Sequence, residues 1–518
     1  MLIWPLLSGV LYFLSFPPYG FWFLIFPALF FFYKFAIENE KSFISGFIFG
    51  SVAYGVVLIG IQSIGYEAWI PLMILMGLMY GLFARVLSYV GAKTDNNFFV
   101  LVAVVSIFDL IRTYFPFGGF PWGYPSTVLI SDLTKNFFRT YGPIGFSLVI
   151  QSLVLLLVLS LLKSNKDSGV FNFHYIKYLL IYFFIFGFTF LQGTPTVEEN
   201  RNIEISIIQG NSPCPGAKNK CSNERQRIYE SHLSLTQSLS VEQVSSTKLN
   251  PRLIVWAESS SGFSNDPLIH DRVLKQISKE SIRLGSYFLI GGDRPIGNNY
   301  FENYGIFISK ATLSDSGEIV GQYLKQHPVP FGEYIPFRRY LEWIPPLSLV
   351  PRDMIRGNEE KIFIIEENNI KISPVISFEG SFERYIRRSV QSGAELIVIL
   401  TNQASYGESG MSDQFILMSR ANAISNYRDV VHAAITGKSA FISGINGEVY
   451  SSTELFTADT STEVLNAYSY KTIYSIWGNY LNYVMISLGL VYFLRFGSNK
   501  KFNHNNVANH IFSNKRAI

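Results

Sequence analysis

Seven apolar stretches, each near the length a helix needs to cross a bilayer, occupy residues 2–16, 21–37, 44–65, 68–91, 97–112, 143–162 and 175–193, and an eighth occupies 473–495. A hydrocarbon core about 30 Å thick takes roughly 20 residues of helix. Lipid offers the backbone no hydrogen bonds, so such runs must be helical. The first two are joined by Phe16-Pro17-Pro18-Tyr19-Gly20, a tight turn. No basic segment precedes the first run, as a cleavable signal would require, so it is expected to stay in the membrane. The pattern predicts an α-helical transmembrane bundle of about 8 spans.

Only 15% of the 518 residues are charged, against about 25% in a soluble protein, and the deficit is concentrated before residue 200. Residues 200–470 have ordinary globular composition. The expected organisation is a membrane bundle over 1–195, an outer domain over 196–472, a last transmembrane helix over 473–497 and a tail over 498–518. Lysine and arginine in short loops set orientation, the basic side being cytoplasmic. Lys34, Lys41, Lys93, Lys163, Lys166 and Lys177 fall on one side, and Arg495, Lys500, Lys501, Lys515 and Arg516 of the tail join them. Loops 17–20 and 64–67 carry none, and the longer 113–142 loop carries Lys135 and Arg139. The outer domain is therefore expected outside the cytoplasm and the tail inside it. The formal net charge of +4, with no basic stripe interleaved with aromatics, excludes a nucleic-acid partner.

Within the outer domain, Ile- and Val-rich segments read as strands: Ile203–Gln209, Leu253–Trp256, Tyr287–Gly291, Tyr304–Ser309, Ile372–Ser377, Leu396–Thr401, Val430–Ile435 and Phe441–Ser443. Asn223–Ser240, Pro267–Leu284, Phe382–Ser392 and Ser412–Tyr427 read as helices. Alternating elements of this kind predict sheets covered by helices. The Ser/Thr-rich stretch 243–248 reads as a surface loop and the Asn/Lys-rich tail after 497 as disordered. Cys214 and Cys221 share one short loop; a local disulfide in an oxidising compartment and two free thiols both remain open. The seven histidines form no pair at ligand spacing, so neither a metal site nor a cofactor is expected.

Four segments hold residues suited to chemistry. Trp256-Ala257-Glu258 ends a strand, where a carboxylate faces a pocket or merely caps the surface. Lys325 to Pro336 contains three prolines and a glycine, an irregular loop rigid enough to position Lys325, His327 and Glu333. Ser377-Phe378-Glu379-Gly380 follows a strand and precedes a helix, so Ser377 is either exposed beside free backbone N–H groups or simply a helix cap. Thr401-Asn402-Gln403-Ala404-Ser405-Tyr406-Gly407 follows another apolar strand and lines the same pocket or makes an ordinary turn. Asp109 and Arg112, one turn apart in the fifth run, pair locally or face the site from below.

A Glu, a Lys and a nucleophile in that order, each near a strand end, resemble the carbon–nitrogen hydrolase (nitrilase) superfamily. With the flanking spans, the chain resembles its membrane branch, the apolipoprotein N-acyltransferases. The likeness includes Ser15-Phe16-Pro17-Pro18, Gly119-Phe120-Pro121-Trp122-Gly123-Tyr124 and Gln209-Gly210-Asn211. It implies an α/β/β/α nitrilase-like sandwich held outside the inner (plasma) membrane of a bacterium, with a cytoplasmic C-terminus. It implies transfer of an acyl chain from a phospholipid to the N-terminal diacylglyceryl-cysteine of a lipoprotein, by a monomer that also contacts membrane lipid. By position, Glu258 is the general base, Lys325 the electrostatic residue and Ser377 the nucleophile. Glu333, Glu379, Trp256, Asn402, Tyr406 and Trp343 are expected around the substrate. Three positions depart from the family: Ser377 replaces its cysteine, Ala257 replaces a proline, and the tryptophan expected after Asn211 is absent.

The serine leaves alternatives: a working acyltransferase, an impaired homologue that binds lipid or lipoprotein, or another amidase or transferase. A thiol of pKa near 8.5 ionises readily, whereas a serine hydroxyl needs a base acting during attack. Phe337–Arg356 mixes Trp343, Ile344, Leu347, Leu349 and Val350 with Arg338, Arg339, Arg352 and Arg356. Pro345, Pro346 and Pro351 exclude a long helix there. The segment is either core packing or a lid at the bilayer surface.

Overall fold

The computed structural model describes residues 2–164, 176–190, 201–214, 221–240, 251–311 and 317–497. Each of the first seven predicted apolar runs contains a helix: α1 (Ile3–Leu14), α2 (Ile25–Glu38), α3 (Ser42–Val57), α4 (Tyr66–Thr94), α5 (Phe98–Tyr114), α6 (Lys135–Ser164) and α7 (Ile176–Phe190). Two of these, α4 and α6, have both the length and the hydropathy to cross a membrane, while several others are shorter apolar helices. Helix α6 breaks at Gly142, φ 68°, just before Pro143. A Cβ there would lie 2.2 Å from the Tyr474 ring, so only glycine fits the break.

The outer domain has helices α8 (Glu224–Ser238), α9 (Asp271–Leu284), α10 (Arg338–Leu341), α11 (Glu383–Gln391) and α12 (Met411–Asn426). The return to the bundle is α13 (Ile473–Trp477) and α14 (Tyr480–Tyr492). Its strands are β1 (Asn202–Gln209), β2 (Arg252–Gly262), β3 (Tyr287–Ile296), β4 (Tyr300–Ile308), β5 (Ile319–Leu324), β6 (Asp353–Met354) and β7 (Phe363–Ile365). They continue with β8 (Ile370–Ile376), β9 (Leu396–Thr401), β10 (Val430–Ala434), β11 (Ala440–Ile442), β12 (Val449–Ser452) and β13 (Asp459–Asn466). One sheet runs β13-β1-β2-β3-β4-β5, with β6 beside β4; the other runs β12-β11-β10-β9-β8-β7.

The sheets face each other through Ile205, Leu253, Leu289, Ile372, Val398 and Val431, all buried. Helices α8 and α9 cover the first sheet through Tyr229, Val273 and Ile277. Helices α11 and α12 cover the second, and their buried residues Ile386, Phe415 and Ile424 join one apolar core with Phe49, Leu101 and Trp122 of the bundle. The α/β/β/α sandwich therefore rests its last helical layer on the N-terminal helical bundle. Every predicted strand is present. Strands β5, β6, β7, β12 and β13 were not foreseen. Strand β13 is half-exposed and Ser/Thr-rich, so it carries no alternation to read.

Cys214 and Cys221 are joined in a disulfide, their Cα atoms 5.9 Å apart. Lys166, the stretch 243–248 and the tail beyond 497 lie outside the described residues, as do the side chains of Lys163 and Lys177.

Helix α11 fastens the outer domain to the bundle. Arg384 donates to the Thr113 and Gly118 carbonyls, both at 2.8 Å, and Arg387 to those of Tyr474 (3.1 Å) and Ile476 (2.7 Å). Asn479 donates to the buried Glu383 carboxylate at 2.8 Å. Burial, partly offset by that bond, pushes Glu383 up from 4.5 to about 7. An acid whose pKa is higher folded than unfolded stabilises fully below the unfolded value and loses that stability as pH rises through the folded one. Glu383→Gln is therefore expected to raise the melting temperature at pH 8 but not at pH 4.5, by up to about 3 kcal/mol of stability. Melting curves of the full-length protein at both pH values measure it; an equal shift at both would assign no titration to Glu383.

Candidate active site

Strands β2, β8 and β9 end at the same edge of the sandwich. The β2–β3 register shifts between Trp256 and Ser261, and Ser259 has φ 56°, so β2 leaves its ladder at Glu258. One Glu258 oxygen accepts from Asn303 Nδ2 at 2.7 Å and from Lys325 Nζ at 3.3 Å; the other accepts from the Asn402 backbone N–H at 2.7 Å. A carboxylate has about four acceptor positions, so one is left for a further donor. Lys325, wholly buried, also donates to Glu333 at 2.6 Å, and the other Glu333 oxygen accepts from the Val329 N–H at 2.8 Å. The proline-rich loop thus returns Glu333 to the lysine eight residues before it.

Charge follows from this packing. Burial pulls Lys325 down, but the Glu258 and Glu333 carboxylates outweigh it and hold the ammonium above the ordinary lysine range. Burial raises Glu333, against the opposing pull of Lys325. The cluster is a fixed ammonium between two carboxylates. Such an ammonium stabilises a developing oxyanion without reorganising at the moment of reaction. His327 is not a candidate acid: burial and then Arg384 lower it to about 3, leaving it neutral.

Ser377 follows β8 and opens a 3₁₀ turn, Ser377–Ser381. Its φ of 56° is unusual for a residue with a Cβ, a strained placement of the kind found at reactive turns. The simple helix-cap reading does not hold: Ser377 is the first residue of the turn, whose cap is Ile376, helix α11 is capped at Phe382, and among the described residues nothing hydrogen-bonds the Ser377 hydroxyl. Strand β8 pairs in parallel with β9, Ile376 opposite Leu400, which brings Ser377 beside the Thr401–Asn402 segment that caps Glu258.

Glu379 is corrected. It was expected around the substrate, yet it is fully buried and both oxygens are taken by protein donors. Tyr323 OH (2.6 Å), the Ile376 N–H (2.8 Å), the His327 N–H (2.8 Å) and the Gln326 N–H all bond it. It ties the Ser377 turn to the lysine loop. Trp256 is corrected too: it is buried between α8 and the first sheet, its indole N–H on Thr236 Oγ1 at 3.0 Å, on the helix-covered face.

The Asn402 backbone N–H is on Glu258, and Tyr406 lies beside the same cluster. The Tyr406 phenol is pushed up to about 12, chiefly by burial, within the field of Lys325, Glu258 and Glu333. Tyr406 also lines a cavity of about 400 Å³ between the outer domain and the bundle, with Pro17, Tyr19, Val57, Gly60, Met411 and Gln414. In the Phe337–Arg356 segment, Trp343 is 76% and Leu349 56% exposed, whereas Val350 is buried. Arg338 anchors the segment on Asp353 at 2.6 Å, and Phe337 meets Phe117 of the bundle loop, ring centroids 6.2 Å apart. Asn303 and Tyr323 were missed. Each is one polar residue in a strand, and only its partner across the fold marks it.

Residues 8–156 match the family model for the apolipoprotein N-acyltransferase N-terminal domain, and 207–473 match that for carbon-nitrogen hydrolase. An apolipoprotein N-acyltransferase of Aquifex aeolicus (strain VF5) is 28% identical over 86% of this chain and 94% of its own. One of Geobacter metallireducens is 26% identical over 87% of this chain and 86% of its own. Among solved structures, a Nesterenkonia AN1 amidase of the nitrilase superfamily is 12% identical, covering 52% of this chain and 93% of that one, with a TM-score of 0.36.

Proposed function

Since this chain belongs to the carbon–nitrogen hydrolase family, we infer that it N-acylates lipoproteins, moving an acyl chain from a phospholipid to the α-amine of a diacylglyceryl-cysteine. The observation that carries the mechanism is the buried Lys325 between Glu258 and Glu333, at the strand ends that also bear Ser377. Ser377 Oγ attacks the ester carbonyl of the phospholipid while Glu258, through its remaining acceptor position, takes the hydroxyl proton. The Lys325 ammonium stabilises the oxyanion. The ester C–O bond breaks, the lysophospholipid leaves with the proton from Glu258, and an acyl-serine remains. The acceptor amine then attacks that ester, the acyl–Oγ bond breaks as the amide forms, and the proton lost by the amine passes through Glu258 to the Ser377 oxygen.

Both substrates are lipids, which agrees with the 400 Å³ cavity at the bundle and with exposed Trp343 and Leu349 as a lid at the bilayer surface. We read 1–195 as the membrane bundle and 196–472 as the extracytoplasmic domain. The chain would return through 473–497 and end in the cytoplasm, eight spans in all, in the inner membrane and as a monomer. The disulfide supports an oxidising, extracytoplasmic setting. The relatives' names favour catalysis over an impaired lipid-binding homologue.

The test is a mass measurement on a diacylated lipopeptide incubated with purified full-length protein in phospholipid micelles. The expected product is heavier by one acyl chain with the parent, and absent with Ser377→Ala. No product from a folded parent would return the impaired-homologue reading.

A further inference from the structure

Arg112 stands in α5 inside the bundle, 1% exposed, where a charge is costly and usually has a task. Of the two expected arrangements the local ion pair is not made: the Asp109 carboxylate accepts instead from Gln151 Nε2 at 2.7 Å, and Arg112 turns toward the loop beneath the site. The guanidinium donates to the Trp122 carbonyl at 2.6 Å and to the Tyr54 hydroxyl, and lies 4.2 Å from the Tyr124 ring centroid.

Trp122 is held from its other end as well. Its indole N–H donates to Gln414 Oε1 at 2.5 Å. The Gln414 amide in turn donates to the Pro17 carbonyl at 3.0 Å and the Val57 carbonyl at 2.9 Å. So fixed, the Trp122 ring lies near Phe378, centroids 6.5 Å apart and planes 24° apart, with Phe120 at 6.1 Å from the same ring. Phe378 is the residue after Ser377, whose backbone is the strained one. A bundle charge and the turn carrying the reactive hydroxyl are thus joined through one aromatic contact.

We propose that Arg112 is a positioning residue for acyl transfer: by fixing Trp122 under Phe378 it sets the aim of Ser377 Oγ. The proposal rests on the acyltransferase reading for its rates, but the geometry it claims is measurable without turnover. Misplacing a reactive group by about 1 Å costs about 10²-fold in rate, so a seat this close to the nucleophile should act on the chemical step. Arg112 is not itself among the cavity-lining residues, so the effect is expected in kcat more than in KM.

Full-length Arg112→Gln, Arg112→Lys and Gln414→Leu are compared with the parent, each also in a Ser377→Cys background. Arg112→Gln is expected to lower kcat about 10²-fold with KM nearly constant, and Arg112→Lys, which keeps a charged donor for the Trp122 carbonyl, to recover most of the loss. In the Ser377→Cys background, Arg112→Gln should change the alkylation rate of the position-377 thiol by neutral iodoacetamide at least about fivefold, well below the melting temperature. Folded Arg112→Gln with unchanged kcat and unchanged alkylation would overturn the proposal, as would a kcat loss accounted for by the unfolded fraction. Should Arg112→Gln fail to fold, Gln414→Leu frees Trp122 from the opposite end; because Gln414 also lines the cavity, its effect is read by alkylation of the position-377 thiol, where a change of at least about fivefold is expected and an unchanged rate would overturn the proposal. A parent without N-acylation activity defeats the acyltransferase reading alone, because alkylation still tests the seat.

Discussion

Lys325→Met is expected to abolish acyl transfer, by about 10³-fold or more, and to destabilise the protein in a pH-dependent way. The wild-type ammonium touches Glu258 at 3.3 Å and Glu333 at 2.6 Å with no exposure to solvent. Methionine fills much of the volume and removes the charge. The two carboxylates then face each other across a buried gap, and breaking such a pair costs roughly 3–5 kcal/mol. Glu333, already raised by burial, takes up a proton to relieve the repulsion. An acid raised in the folded state favours folding below its unfolded pKa and loses that advantage as pH rises, so the melting deficit should be small near pH 5 and large near pH 8. Activity should be lost at both, because no cation remains for the oxyanion. Turnover by mass spectrometry and melting at the two pH values separate the effects. A folded Lys325→Met retaining a tenth of parent turnover would remove Lys325 from the chemistry.

Ser377→Cys is expected to accelerate acyl transfer, by about 10-fold or more, provided nucleophile ionisation limits the rate. Cysteine has the same backbone and Cβ as serine, so φ 56° costs it no more. Its thiol, with a reference pKa near 8.5, loses a proton to a carboxylate base far more readily than a hydroxyl does. The second half-reaction gains also, because a thioester yields to amines more readily than an oxygen ester. The Lys325 ammonium, fixed between Glu258 and Glu333 at the same strand ends, would favour the thiolate. Two measurements check this: the initial N-acylation rate, and stoichiometric labelling of the new thiol by iodoacetamide. Cys214 and Cys221 are disulfide-bonded and contribute no background. Efficient labelling without faster transfer would mean that the site is built around oxygen chemistry, with a step other than nucleophile activation limiting turnover.

How much of this was legible beforehand differs residue by residue. The eight apolar runs, the alternating Ile- and Val-rich strands and the Glu258, Lys325, Ser377 order are local patterns, written in hydrophobic period and in residues at strand ends. They needed no partner to be read, and each run contains a helix. The sixth run does begin at the Gly142 break, but the helical segment from Lys135 that precedes it was read as loop. Short or polar edge strands such as β13 were not visible, because half-exposed Ser and Thr leave no alternation to follow.

What tertiary structure alone decided is the identity of polar partners. Glu379 and Glu258 are both glutamates near strand ends, and nothing in their neighbourhoods tells them apart. One meets Tyr323 and three backbone N–H groups and becomes a structural clip; the other keeps a free acceptor position beside Lys325. Trp256 and Trp122 differ in the same way, one sealed under α8, the other set against Phe378. Burial makes a polar atom's free energy depend on the few groups within hydrogen-bonding reach, and in this fold those groups come from segments tens to hundreds of residues away. Hydrophobic period travels with the chain and can be read along it. The partner of a buried charge exists only once the sheets have paired and the sandwich has settled on the bundle, so Arg112 could be noticed in the sequence but understood only through Trp122, Gln414 and Phe378.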